Sequence, residues 1–142
     1  MSDADRLARQ VADTLLAREG AGRAWGVTIE EAREGYARIR MQVREDMLNG
    51  HGIAHGGMIF ALADTAFAYA CNSRNEASVA QNANIAFLAP AAAGEVLVAE
   101  AREAASRQRT GVYHVTVRAA GDGRVIAEFT GLSRTTGNAI IR

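Results

Sequence analysis

Three groups of residues in this 142-residue chain could do chemistry. The first is Asp64, a lone carboxylate inside the apolar run from Met58 to Cys71. An ionised carboxylate in a dry interior is destabilising unless it is paired or solvated. Desolvation also raises its pKa toward that of a useful general base. Asp64 is therefore either a catalytic carboxylate or one satisfied by a neighbour, a helix cap or water at a subunit interface. The second group is His55-Gly56-Gly57, directly before the run. The first turn of a helix carries free N–H groups and a partial positive charge, and glycine lets a ligand approach that backbone. Such a turn is either a donor site for the oxygen of a reacting carbonyl or a flexible entry to a helix. The third group is basic: Arg107 and Arg109 in "SRQRTG", and Arg134 in "GLSRTTG". These guanidinium groups are either solvated or suited to phosphate.

Spacing links the first two groups. Asp64 follows Gly56 by eight residues, about 12 Å along one helix. One chain cannot easily bring both to the same small group. If both serve one substrate, two antiparallel copies of the helix must supply one half each, and the site is shared in a dimer.

Other reactive side chains point elsewhere. His51 and His55 are four apart, but Gly50 and Gly52 argue against a helix there, and no third ligand accompanies them, so no metal is expected. Cys71 lies on the apolar run as a core residue rather than a nucleophile. His114 sits in a strand, as a partly buried ring with one hydrogen bond.

The elements that must position these groups follow from periodicity. Ser2 to Arg18 reads as an amphipathic helix with Ser2 as cap, stopped by "EGAG". "WGVTIEEA" and "YARIRMQV" alternate as two strands about a turn at Arg33–Gly35. The run from Met58 to Cys71 is too long for one strand and apolar nearly all round, which predicts a buried helix. Four strands follow, over 78–88, 95–104, 110–119 and 125–134. Runs of strands rather than βα alternation predict an α+β fold, with a mostly antiparallel sheet wrapped around the apolar helix. Its open edges invite pairing with a second copy.

Composition narrows the function. The chain has sixteen basic and sixteen acidic residues and no net charge, which argues against a nucleic-acid binder with a broad basic surface. All sixteen basic residues are Arg, which removes lysine Schiff-base, PLP and P-loop chemistry. One Cys allows no internal disulfide, and no apolar signal core or membrane-spanning run is present, so a reducing, cytoplasmic location is expected.

The segment "NGHGIAHGGMIFALADTAFAYACNS" from Asn49, with "NIAFLAPAAAGEVL" after the helix, resembles the hotdog-fold acyl-CoA thioesterases of the phenylacetate-degradation type. The order of elements matches along most of the chain. The resemblance implies one hotdog domain over 1–142 with an extra helix over 1–20. It implies dimers with a joint sheet, paired into homotetramers. It also implies hydrolysis of phenylacetyl-CoA or its ring-hydroxylated relatives to free acid and CoA, in phenylacetate degradation. No cofactor is implied, because coenzyme A is part of the substrate. Asp64 matches the catalytic carboxylate, as nucleophile or as base. Gly56 matches the N–H donor that polarises the thioester, Asn49 an amide near the attacking species, and His55 the residue leading into that glycine. Gly57, Phe60, Thr65 and Asn82 are expected to contact substrate or water, and Arg107, Arg109 and Arg134 the CoA phosphates. Phe60, Phe67 and Tyr69 are expected to form the acyl slot. The chain departs from some relatives in having Ala68 and Ala80 where they carry water-orienting hydroxyls. Two alternatives stand: a non-catalytic acyl-CoA-binding module, and a hydratase or dehydratase on the same fold.

Overall fold

The computed structural model describes residues 1–142. Its elements are α1 (Asp3–Arg18), α2 (Gly20–Ala24), β1 (Thr28–Arg33), β2 (Tyr36–Gln42), α3 (Gly56–Cys71), β3 (Ser78–Phe87), β4 (Val96–Arg107), β5 (Thr110–Ala119) and β6 (Val125–Thr135). The six strands form one antiparallel sheet in the order β1-β2-β4-β5-β6-β3, curved around α3. The β1–β2 turn uses Gly35 at φ 71°, a conformation glycine adopts without strain. The helix reading missed α2, five residues that continue past the expected "EGAG" stop.

Both helices are positioned by identifiable contacts. The Ser2 hydroxyl accepts from Asp5 N at 3.1 Å and caps α1, whose Ala8, Val11 and Ala12 are buried. The Tyr69 hydroxyl on α3 donates to the Glu19 carboxylate at the α1–α2 junction. At the same end of α3, Asn72 accepts from Ser78 N at 2.8 Å and donates to Ala68 O at 2.8 Å and Ser78 O at 3.1 Å. One buried side chain thus ties the last turn of α3 to the first residue of β3.

The inner face of the sheet meets α3 through Ile39, Leu97, Ala99, Val115, Val117 and Phe129, all essentially inaccessible. On α3 itself the core does not extend all round. Gly57, Phe60, Ala61, Asp64 and Ala68 are not buried, and their three- and four-residue spacing puts them along one side. The apolar run looked fully buried because Ala and Gly fill most of this open side. The strand β3 is also open: it forms one edge of the sheet, pairing only with β6, and its ten residues include no charge and no Pro.

Close approach of α3 to β6 depends on Gly131. A Cβ there would lie 2.8 Å from the ring of Phe67, whose neighbours Tyr113 and Phe129 sit at ring-centroid distances of 5.6 and 5.7 Å. Gly131→Ala is expected to destabilise the protein by about 1–3 kcal/mol through overpacking. Thermal denaturation at fixed protein concentration checks this, and an unchanged midpoint would mean that the Phe67 ring moves aside freely.

Candidate active site

The start of α3 is built by a tightly ordered loop. The Asn49 side-chain carbonyl accepts from His51 N at 2.9 Å and Ile53 N at 3.3 Å, while Asn49 N donates to Ile53 O at 2.8 Å. His55 N donates to Met47 O, and Ala54 N to Ala91 O, each at 2.8 Å. The apparently flexible glycine-rich entry is therefore held on both sides by backbone bonds.

His55 then caps the helix. Its Nδ1 accepts from Gly57 N at 2.8 Å. Its carbonyl accepts from Met58 N at 2.9 Å and Ile59 N at 3.2 Å. Of the N–H groups in the first turn, this leaves that of Gly56 without a protein acceptor. Gly57, expected near the substrate, has its N–H committed to His55, and the His55 ring serves the cap.

Gly56 opens into a cavity of about 500 Å³, lined by Asn49, Ile53, Ala54, Gly56, Ile59 and the Phe87–Pro90 segment. Asn49 and Gly56 thus meet in one space. The Asn49 carbonyl is engaged by the loop, so its side-chain NH₂ is the end left to donate.

Asp64 lies two turns further along α3, on the open side of the helix. It is half-buried, and burial alone raises its carboxyl above the usual carboxylate range; no cation or donor counteracts it. Cys71, also on α3, is buried, and its thiol is pushed up to about 12 by that burial, with the Asp64 charge adding to the effect. That thiol is inert at neutral pH.

The remaining expected residues fall into separate places. The Thr65 hydroxyl donates to Ala61 O at 2.7 Å within the helix. Asn82 is exposed on β3, next to the Ala80/Asn82 bulge. Phe60 packs edge-on against Phe129, with centroids 5.4 Å apart. Phe67 and Tyr69 are each 1% exposed, so two of the three rings expected in an acyl slot are core residues instead. Their apolar character reflected packing against the sheet. The residues missed are Ile53, Phe87, Leu88 and Pro90; the exposed aromatic beside the only Pro of the chain was the available signal. His114 is exposed rather than partly buried, with Nδ1 3.3 Å from the Thr130 hydroxyl.

Arg107, Arg109 and Arg134 are exposed and form no ion pair with an acid. Thr110 is the register partner of both Arg107 and Arg134, and Thr135 N donates to Arg109 O at 2.8 Å. The three therefore gather at one end of the sheet. Arg134 pairs with Val79, near the start of β3, whereas Phe87 ends β3 beside Gly56. The arginines thus lie at the opposite end of α3 from their own chain's Gly56, about 24 Å away over sixteen residues of helix.

An antiparallel sheet curved around one long helix is the hotdog architecture. The thioesterase superfamily profile matches residues 51–126, and the chain belongs to that family. It is 41% identical over 131 residues to the acyl-coenzyme A thioesterase PaaI of Escherichia coli K12, spanning 92% of this chain and 93% of that one. The structure of the Escherichia coli PaaI protein from the phenylacetic acid degradation operon superposes with a TM-score of 0.94, at 39% identity, covering 96% of this chain and 99% of that one. A hypothetical thioesterase protein from Streptococcus pneumoniae, crystallised with coenzyme A, superposes with a TM-score of 0.76, at 26% identity, covering 80% of this chain and 90% of that one.

The raised Asp64 pKa has a consequence for stability. The folded chain holds this proton more tightly than the unfolded chain does, so protonation favours folding. This contribution declines as pH rises from about 3.9, the unfolded value, through the raised folded value. Asp64→Asn is expected to be more heat-stable than the native protein at pH 7, with the difference closing below about pH 4. Melting curves of both proteins across this range check it, and a less stable variant at pH 7 would mean that the carboxylate is held by hydrogen bonds.

Proposed function

We propose that this chain is an acyl-CoA thioesterase that hydrolyses phenylacetyl-CoA or a ring-hydroxylated phenylacetyl-CoA, in phenylacetate degradation. The observation that carries the proposal is one helix that presents both a free donor, Gly56 N–H, in an apolar cavity and, two turns on, a half-buried carboxylate of raised pKa, Asp64. It is supported by the extensive similarity to PaaI. In the proposed reaction the thioester oxygen rests on Gly56 N–H, where negative charge develops. Asp64 takes a proton from water as the water oxygen attacks the carbonyl carbon. The tetrahedral intermediate then collapses, the C–S bond breaks, and CoA thiolate leaves with a proton. A raised pKa makes the carboxylate a stronger base, which suits this role. The free NH₂ of Asn49 and exposed Asn82 are placed to hold the water or the substrate amides.

We assign the active site to a dimer. Two copies related by a two-fold axis, paired along the uncharged β3 edge, would set their α3 helices antiparallel and complete each Gly56 with Asp64 of the partner subunit. The open Ala-rich side of α3 supports this arrangement. Two such dimers would form the tetramer. Residues 1–142 then act as one hotdog domain. No helix is long and apolar enough to cross a membrane, and we place the enzyme in the cytoplasm.

Two variants test the site. Asp64→Asn is expected to lower kcat by about 10²–10⁴-fold with the oligomer intact. Gly56→Pro removes the donor at a position where Pro suits a helix, and His55 at ψ 134° tolerates a following Pro. It is expected to fold and to lose about 10²–10³-fold in kcat. A mixed dimer of the two variants carries one intact site if the site is shared, so mixing should restore turnover. Verified mixed dimers without activity would place both groups in one chain's site.

In the same dimer, Arg107, Arg109 and Arg134 reach the end of the partner's α3 that carries Gly56, where the CoA phosphates are expected. Replacing all three by Gln should raise KM for phenylacetyl-CoA about tenfold or more. KM for the N-acetylcysteamine thioester, which has no phosphate, should stay within about twofold by the same reasoning. Equal changes for both esters would remove these arginines from phosphate binding.

A further inference from the structure

The cavity at Gly56 has one aromatic ring in its wall, that of Phe87. Its ring tip lies against the glycine: a Cβ on Gly56 would stand 3.1 Å from Phe87 Cζ and 3.4 Å from Cε1. The other side chains lining the apolar wall, Ile53, Ile59 and Leu88, are aliphatic. Phe87 is also 53% exposed, whereas Phe67 and Phe129 are 1% exposed. An exposed ring contributes little to the core, yet its backbone is firmly held. Leu88 N and Ala89 N both donate to Ile126 O, at 2.8 and 3.3 Å, and Ala91 O accepts from Ala54 N at 2.8 Å.

We propose that Phe87 is the specificity-determining residue for the acyl group, an aromatic plate that favours an arylacetyl chain over a straight aliphatic one. This rests on the thioesterase assignment above, with the substrate carbonyl on Gly56 N–H. An arylacetyl group carries its ring one methylene from the carbonyl carbon. With the carbonyl oxygen about 2.9 Å from Gly56 N, that ring falls within the range of the Phe87 face. Edge-to-face and offset ring pairs form at centroid separations of about 4.5–7 Å. A straight acyl chain gains only the apolar contact, which Ile53, Ile59 and Leu88 supply equally well. The glycine at position 56 is needed twice: for its unhindered N–H, and for the absence of a Cβ where the ring tip rests.

The test compares phenylacetyl-CoA with hexanoyl-CoA in the native enzyme, Phe87→Leu and Phe87→Ala. Phe87→Leu retains most of the apolar volume and removes the ring. It should lower the ratio of kcat/KM for phenylacetyl-CoA to that for hexanoyl-CoA by about threefold to tenfold. Hexanoyl-CoA turnover should fall less than phenylacetyl-CoA turnover, because aliphatic contact is kept. Phe87→Ala should lower the ratio in the same direction and serves where the Leu variant assembles poorly. Equal loss for both esters would overturn the proposal and leave Phe87 as a prop for the Gly56 turn; an unchanged ratio would overturn it too. Binding is measured in parallel with ketone analogues of both esters, in which a methylene separates sulfur from carbonyl. If the native enzyme hydrolysed neither ester, the catalytic assignment would fail. The same selective loss of affinity in Phe87→Leu would still support the plate, and equal affinities would sink it.

Discussion

The rise of the α-helix is the constraint on which the rest depends. Eight residues separate Gly56 from Asp64, and at about 1.5 Å per residue the donor and the carboxylate stay about 12 Å apart in any one chain. No side-chain rotation closes that gap, because one partner is a backbone N–H and the other a short carboxylate. A single substrate carbonyl can meet both only when a second helix runs the other way. The fold leaves room for that helix. The unburied side of α3 is made of Gly57, Phe60, Ala61, Asp64 and Ala68, and the sheet ends beside it in β3. An uncharged ten-residue edge strand is an aggregation hazard unless it is covered. The proposed pairing with a second copy would answer the exposed edge, the open helix side and the divided site together.

The donor depends on how the helix start shares out its hydrogen bonds. Four N–H groups begin any helix without intrahelical partners. Here His55 accepts from two of them, through its ring at Gly57 and its carbonyl at Met58, and sends its own N–H to Met47 O. The group left over is the N–H of Gly56, a residue that lines the cavity. The Asn49 carbonyl and the backbone bonds of Ala54 and His55 fix the loop before it. A dipole held in this way needs no reorganisation when charge develops on a bound oxygen, which would be its value in the proposed reaction.

The elements were largely legible in the sequence because their signals are local. Period-two alternation marked β2, and the polar turn "AGDG" marked the β5–β6 hairpin; strand ends fell within three residues of those observed. The anomaly of Asp64 was equally local, since a charge in an apolar run is visible without a fold. The cavity was not legible, because its walls come from two segments far apart in sequence, Asn49 to Ile59 and Phe87 to Pro90, joined by the bond from Ala54 N to Ala91 O. Phe67 and Tyr69 resembled substrate contacts for the same reason. An aromatic residue on an apolar helix gives no indication of which side faces the sheet, and only the Gly131 notch under Phe67 decides it. The cap was half legible: the glycines announced a helix start, but which N–H stays free depends on where the His55 ring turns.

The isolation of Asp64 is as informative as its burial. The chain carries sixteen arginines, and eight of them pair with acids on the surface. None approaches Asp64, and α3 contains no basic residue at all. An arginine there would relieve the penalty of the half-buried charge and stabilise the fold. It would also hold the carboxyl below its ordinary range, in the form least able to take a proton. The proposed thioester cleavage would make this trade workable, because the thiolate leaves readily and one modest base with one N–H dipole would meet the demand. The fold therefore tolerates a destabilising carboxylate at the centre of its main helix, and the same absence of partners that weakens the fold keeps Asp64 suited to act as a base.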